Sequence, residues 1–265
     1  MPARILALCN QKGGVGKTTT TFQLARAAVN AGRRVLVIDN DPQGNLTSDI
    51  AGEPLEPTDA GLADALSTRA PHTLREVIVP GIWPGLDVVP TSGRTLGSVR
   101  DELVVAGVGR EVRLREALAE VRDDYDLILI DSAPSLDQLT INALSAADSA
   151  VIVTHSKKYS LDGLAQLLDT IESVKAYTNP GLDVAGIIVN QHEERTVGGA
   201  GWLDELSTFA EHRGLRLIGR PIPKRVVIAD ATEAARGLDE WGSAEATALG
   251  AIYTEQLAVI EGESA

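Results

Sequence analysis

The chain has 265 residues, with 24 Lys+Arg against 37 Asp+Glu and a formal net charge of −13. Its 44% hydrophobic and 23% charged composition excludes a disordered chain, and its one cysteine, Cys9, excludes a disulfide framework and a cysteine-ligated zinc site. The acidity speaks against a nucleic-acid partner, although net charge says nothing about local patches.

The first apolar run, residues 5–9, is too short for the core of a secretion signal, and no later stretch approaches the ~20 apolar residues of a membrane span. Together with the cysteine count, this suits a reducing cytoplasm. Further short apolar runs follow at 35–38, 86–89, 127–130, 150–153, 184–189 and 217–218. Most are β-branched and do not alternate, as strands buried on both faces of a parallel sheet read. Between them, the spacing predicts helices over 18–31, 113–121, 161–176, 202–212 and 244–260. Residues 52–85 are rich in Pro and Gly and read as an excursion with one short helix near 62–66; residues 92–112 show no clear pattern. The alternation predicts a doubly wound α/β fold, a mostly parallel sheet with helices on both faces. No linker divides it, so residues 1–265 read as one domain ending in an acidic helix at about 241–261.

The segment Lys12-Gly-Gly-Val-Gly-Lys17-Thr18-Thr19 follows the first strand and opens the first helix. Gly13, Gly14 and Gly16 permit a close backbone approach, and the N–H groups from Gly13 through Thr19, Val15 included, form an anion cradle at a helix N-terminus. Lys17 reaches β- and γ-phosphates in such a loop, and the Thr18 hydroxyl ligates Mg²⁺. The second strand ends in Asp39-Asn-Asp41-Pro-Gln-Gly-Asn, placing two carboxylates on one side of an extended segment. Such a group beside a phosphate can orient the attacking water; the alternative is a strand-terminating turn. Asp131 ends the run 127–130 and is a candidate Mg²⁺ ligand.

Asn10 stands where the common phosphate loop has its first glycine, and Lys12 adds a second lysine five residues before Lys17. This pattern resembles the deviant Walker family of ParA and MinD ATPases, a P-loop fold. Residues 39–45, 131–144, 159–171, 195–196 and 222–225 are similar to ParA segments, so the likeness spans about residues 3–240 and favours the short ParA branch. It implies an ATP-sandwiched homodimer in which Lys12 crosses to the partner's phosphates. It also implies Asp41 positioning the hydrolytic water, Asp39 supporting the metal site, and Asn190, Pro223 and Arg225 around the adenine. The implied activity is slow Mg²⁺-dependent ATP hydrolysis, stimulated by a ParB-like partner and coupled to non-specific DNA binding.

The sequence departs from the family at three places. His155 replaces a Pro-x-Gln turn, Val227 stands where relatives carry a DNA-contacting arginine, and Lys157-Lys158 replaces a usually more acidic or neutral pair. The absence of an N-terminal helix-turn-helix disfavours operator binding. A basic cluster remains: Arg213, Arg216, Arg220, Lys224 and Arg225 occupy 213–225 without one acidic residue. With Arg195 these are the candidate DNA contacts. The last stretch, 237–265, has six acidic residues and no Lys or Arg. An acidic final helix disfavours a MinD-like membrane anchor, because membrane-surface helices are usually basic. The expected protein is cytoplasmic and nucleoid-associated. The competing readings are a ParA-like ATPase positioning a non-DNA cargo and a nucleotide-switch scaffold.

Overall fold

The computed structural model describes residues 2–67, 69, 72–92, 95–155, 160–193 and 196–262. Lys157, Lys158 and Arg195 lie outside the described residues. In chain order the elements are β1 (Arg4–Cys9), α1 (Lys17–Asn30), β2 (Val35–Asn40), α2 (Asn45–Ile50), α3 (Leu62–Leu66), β3 (Val79–Pro80) and β4 (Leu86–Val89). Then come α4 (Thr95–Val105), α5 (Arg113–Leu118), β5 (Leu127–Ser132), α6 (Gln138–Ala146), β6 (Ser149–His155) and α7 (Ser160–Tyr177). The chain closes with β7 (Asp183–Asn190), α8 (Val197–His212), α9 (Val226–Glu233) and α10 (Ala244–Glu261).

The strands form one sheet in the order β3-β4-β2-β5-β1-β6-β7, parallel except for β3. The apolar runs do not alternate because both faces are covered. Leu6, Leu8, Val35, Val37, Leu127 and Leu129 face α1, α2, α9 and α10. Ile5, Ala7, Leu36, Ile38, Ile128 and Ile130 face α3 to α8. This is the doubly wound architecture expected from the sequence.

The sheet departs from the expected strand set at both edges. The run at 217–218 is not a strand of the sheet: Leu217 makes one isolated parallel bridge to Ile187, and Pro223 makes another to His192. Gly219 (φ +59°) turns the chain between them, and Pro221 and Pro223 have no N–H to donate to a ladder. At the other edge, the two-residue β3 adds an antiparallel strand within the Pro- and Gly-rich excursion. The expected helix over 113–121 stops at Leu118, and α2, α4, α6 and α9 are additional to the expected set.

Candidate nucleotide site

The central strand β1 lies between β5 and β6, and its carboxyl end feeds the loop that opens α1. In open α/β sheets this edge is where ligands bind. The loop is tied from below: the Asn10 side-chain amide donates to the Val153 carbonyl (2.7 Å) and its Oδ1 accepts from Lys12 N (2.9 Å). This accounts for an asparagine where a glycine is usual. Val15 is fully buried, its side chain packed into the core and its carbonyl accepting from Asn190.

Gly16 is required twice over. It sits in the left-handed region (φ +85°), and a Cβ there would lie 2.0 Å from Asn190 Nδ2. A Gly16→Ala protein should lose nucleotide affinity by at least about tenfold, since the clash displaces either the loop or Asn190. Calorimetric titration of ATP checks this; unchanged affinity would refute the fit.

Strand register brings the carboxylates together. Asp39 and Asp131 are direct partners across β2 and β5, and each continues the side of its strand that faces α1. Both are fully buried. Asp131 accepts from the Thr18 hydroxyl (2.7 Å) and the Thr21 hydroxyl (3.2 Å). Asp39 accepts from Thr47 N (2.8 Å), Thr47 Oγ1 (2.7 Å) and Asp41 N (3.2 Å). Burial pushes the Asp131 carboxyl up to about 7, with the Asp39 charge adding to it and Thr18 and Lys17 opposing. Burial likewise raises Asp39 to about 6, against its hydrogen bonds from Thr47 and Asp41.

Lys17 is 6% exposed, and its ammonium donates to the Lys12 carbonyl (3.4 Å). Burial lowers its pKa, and Asp131, Cys9 and Asp41 pull it back up. Lys12 is exposed and has no ion-pair partner among the described residues. Asp41 is half-buried, and its Oδ1 accepts from Gln43 N (2.9 Å).

These donors fit Mg²⁺. A hydroxyl and a carboxylate are hard oxygen ligands, and Thr18 can keep its proton on Asp131 while a lone pair meets the ion. No group of three metal-binding side chains forms among the described residues. The two carboxylates differ in what they hold: Asp131 accepts from the hydroxyls of α1, whereas Asp39 accepts from Thr47 and the Asp41 backbone and so orders the β2–α2 turn.

Beside the loop lies a cavity of about 290 Å³ lined by Gly16, Thr19, Asn190, Gln191, Pro223 and Arg225 among others. All three residues expected around an adenine are there. Asn190, however, spends its amide on the loop, donating to Val15 O (3.0 Å) and Gly16 O (3.4 Å) and accepting from Gln191 N (2.8 Å). Gln191, absent from the sequence-based set, lines the same cavity and donates to Gly14 O (3.0 Å) from a left-handed conformation (φ +50°). Its only sequence signal was adjacency to a strand end.

The basic cluster is mostly spoken for. Arg220 pairs with Glu255 (3.1 Å), Lys224 with Glu193 (3.5 Å) and Arg225 with Glu245 (3.1 Å). Arg216 donates to the carbonyls of Ala185 (2.9 Å) and Val259 (3.1 Å). Arg213 lies over the Phe209 ring (5.5 Å). Val227 is half-buried against the α1 face of the core, and His155 is buried at the end of β6. No described helix is long and apolar enough to cross a membrane.

Known proteins resemble this chain in sequence and in fold. A family model described as an AAA domain matches residues 3–184. The chain is 37% identical over 228 residues to the sporulation initiation inhibitor protein Soj of Bacillus subtilis, covering 86% of this chain and 87% of the relative. It is 38% identical over 235 residues to the chromosome partitioning protein ParA of Caulobacter vibrioides, covering 87% and 84%. A solved structure of cobyrinic acid a,c-diamide synthase from Mycobacterium smegmatis, with bound ATP analog and magnesium, superposes with a TM-score of 0.77 at 32% identity, covering 89% of this chain and 94% of that one. A plasmid partition protein from Borrelia burgdorferi superposes with a TM-score of 0.75 over 100% of both chains at 20% identity, a likeness of fold. A loop holding two lysines on this sheet, with that extent of identity to Soj and ParA, settles the family: the chain belongs to the ParA/Soj partition ATPases.

Proposed function

We propose that this protein is an ATP-driven DNA partition switch. ATP is held between two copies of the chain, the dimer binds DNA without sequence preference, and hydrolysis stimulated by a ParB-like protein releases it. The observation that carries this reading is Lys12: an exposed cation at the mouth of the phosphate loop, without an ion-pair partner among the described residues. A lysine so placed is available to a second copy's phosphates, where it stabilises charge as an arginine finger supplied in trans does.

Each copy's own residues divide the remaining tasks. The backbone from Gly13 to Thr19 and the Lys17 ammonium bind the phosphates, and burial of Lys17 strengthens its attraction to them by excluding water. Mg²⁺, when bound, neutralises phosphate charge. Thr18 and Asp131 hold it, and Asp39 keeps the β2–α2 turn in place. Asp41 orients the attacking water and accepts its proton. Pro223, Gln191 and Arg225 form the wall against the base, and Asn190 braces the loop. Residues 1–265 act as one domain, placed in the cytoplasm and on the nucleoid when ATP is bound.

The test is light scattering and DNA retention with ATP at low and moderate salt. Wild type should double its mass and retain DNA in a salt-sensitive way, whereas a Lys12→Ala protein should remain monomeric and release DNA. A wild-type protein that stays monomeric with ATP would refute the reading. A second reading, a ParA-like ATPase positioning a non-DNA cargo, is favoured by the ion pairs on Arg220, Lys224 and Arg225. Dimerisation without DNA retention would select it.

A further inference from the structure

The basic segment and the acidic helix, 35 residues apart at Arg220 and Glu255, lie against each other along most of the helix. Arg225 meets Glu245 in the first turn of α10, Arg220 meets Glu255 toward its end, and Arg216 caps the Val259 carbonyl near its last turn. The segment therefore runs antiparallel to α10. Its backbone is pinned there too, by Gln256 Nε2 donating to Arg220 O (3.0 Å). The helix itself cannot swing away, because Leu249, Tyr253, Leu257 and Ile260 are buried in the core. Only side chains can exchange. Each pair is open to water at one member, Arg220 (64% exposed) and Glu245 (58%), while Glu255 (34%) and Arg225 (39%) are partly covered.

We infer that Glu245 and Glu255 set the protein's affinity for nucleic acid, acting as an intramolecular competitor that holds Arg220 and Arg225 until backbone phosphates displace the carboxylates. This rests on the DNA-binding reading and adds its control. Exposed ion pairs are weak, so a phosphodiester can take over the guanidinium. Each exchange nevertheless deducts from binding, which keeps one copy's grip below what a dimer achieves with two clusters. The pairing also gives a physical role to the coincidence of a purely basic segment with a purely acidic one.

The experiment measures binding of a mixed-sequence DNA duplex to the full chain with ATP and Mg²⁺, across a salt series. The proteins are wild type, E245Q/E255Q, and a charge-matched control, D101N/E172Q. The control carboxylates lie on α4 and α7, on the opposite face of the sheet, and pair with Arg100 and Lys175. E245Q/E255Q should bind about three- to tenfold more tightly at low salt. Its salt dependence should be steeper by about one to two units per subunit as two more cations engage phosphates. The control should match wild type. An equal gain in both variants would mean bulk charge and overturn the inference, as would no gain in E245Q/E255Q while wild type binds DNA. The DNA-binding reading survives both of those results. Absence of binding by all three proteins, with melting temperatures unchanged, overturns that reading and the inference with it. E255Q alone should fall between wild type and the double variant.

Discussion

An Asp41→Ala protein should bind ATP, remain dimeric with it, and hydrolyse it about a hundredfold or more slowly than wild type. The reason lies in what the substitution leaves intact. The Asn10 brace, the Lys17 ammonium and the Thr18–Asp131 bond are untouched, so phosphate binding persists. What disappears is a half-buried carboxylate whose Oδ1 is fixed by Gln43 N and whose Oδ2 carries no hydrogen bond among the described residues. That free oxygen can accept a proton from water. The Asp41 charge also reaches Lys17 and Asp131, raising the pKa of both, so the three groups share one field. Phosphate release and molar mass by light scattering are the measurements. A monomer with unchanged turnover would refute the role of Asp41.

Replacing the buried Asp131 should have an opposite pair of effects. Without nucleotide, Asp131→Asn should raise the melting temperature at pH 8, on the order of 5 °C, while abolishing Mg²⁺-dependent hydrolysis. In the unfolded chain both carboxyls titrate at ~4, and in the folded chain burial pushes Asp131 up to about 7 and Asp39 up to about 6. Below pH ~4 both states hold the protons and ionisation costs nothing. Between pH ~4 and ~7 the unfolded chain ionises first, so folding stability falls; above that window the loss is complete. A neutral amide removes the Asp131 share. It also gives up one of the two hydroxyl bonds to Asp131, which takes back about 1 kcal/mol. The gain should therefore vanish near pH 4. Mg²⁺ and ATP should reverse the order, because ligand binding stabilises wild type by mass action and the variant less. Lower melting of the nucleotide-free variant at pH 8 would contradict the electrostatic account.

The elements missed from sequence share a cause. α9 opens with Val226-Val-Ile, residues of modest helix propensity, and forms because Ile228 and Ala231 pack into the core. α2 is six residues long and follows a left-handed Gly44, beside a strand end whose Asp, Asn and Pro read as turn. α6 begins at Gln138 and is capped by Asp137, whose side chain accepts from Leu139 N and Thr140 N. In each, packing or a single cap outweighs local preference. The antiparallel β3 is two residues long, too short to carry any periodicity.

The candidate site divides along the same line. The phosphate loop, the carboxylates at 39, 41 and 131 and the alternation of strand and helix were all legible, because each is encoded within a few consecutive residues. That Asp39 and Asp131 stand side by side depends on the register of β2 against β5, which no local pattern specifies. That Asn190 and Gln191 brace the loop, 174 to 177 residues away, depends on β7 ending beside it. The charges show the difference most plainly. The order of residues alone determined that a basic segment precedes an acidic helix. Only the packing of α10 against that segment decided that Arg220 and Arg225 are already paired while Lys12 has no ion-pair partner among the described residues. Sequence counts charges, but Coulomb energy depends on their separation and on the solvent between them, and both are properties of the fold.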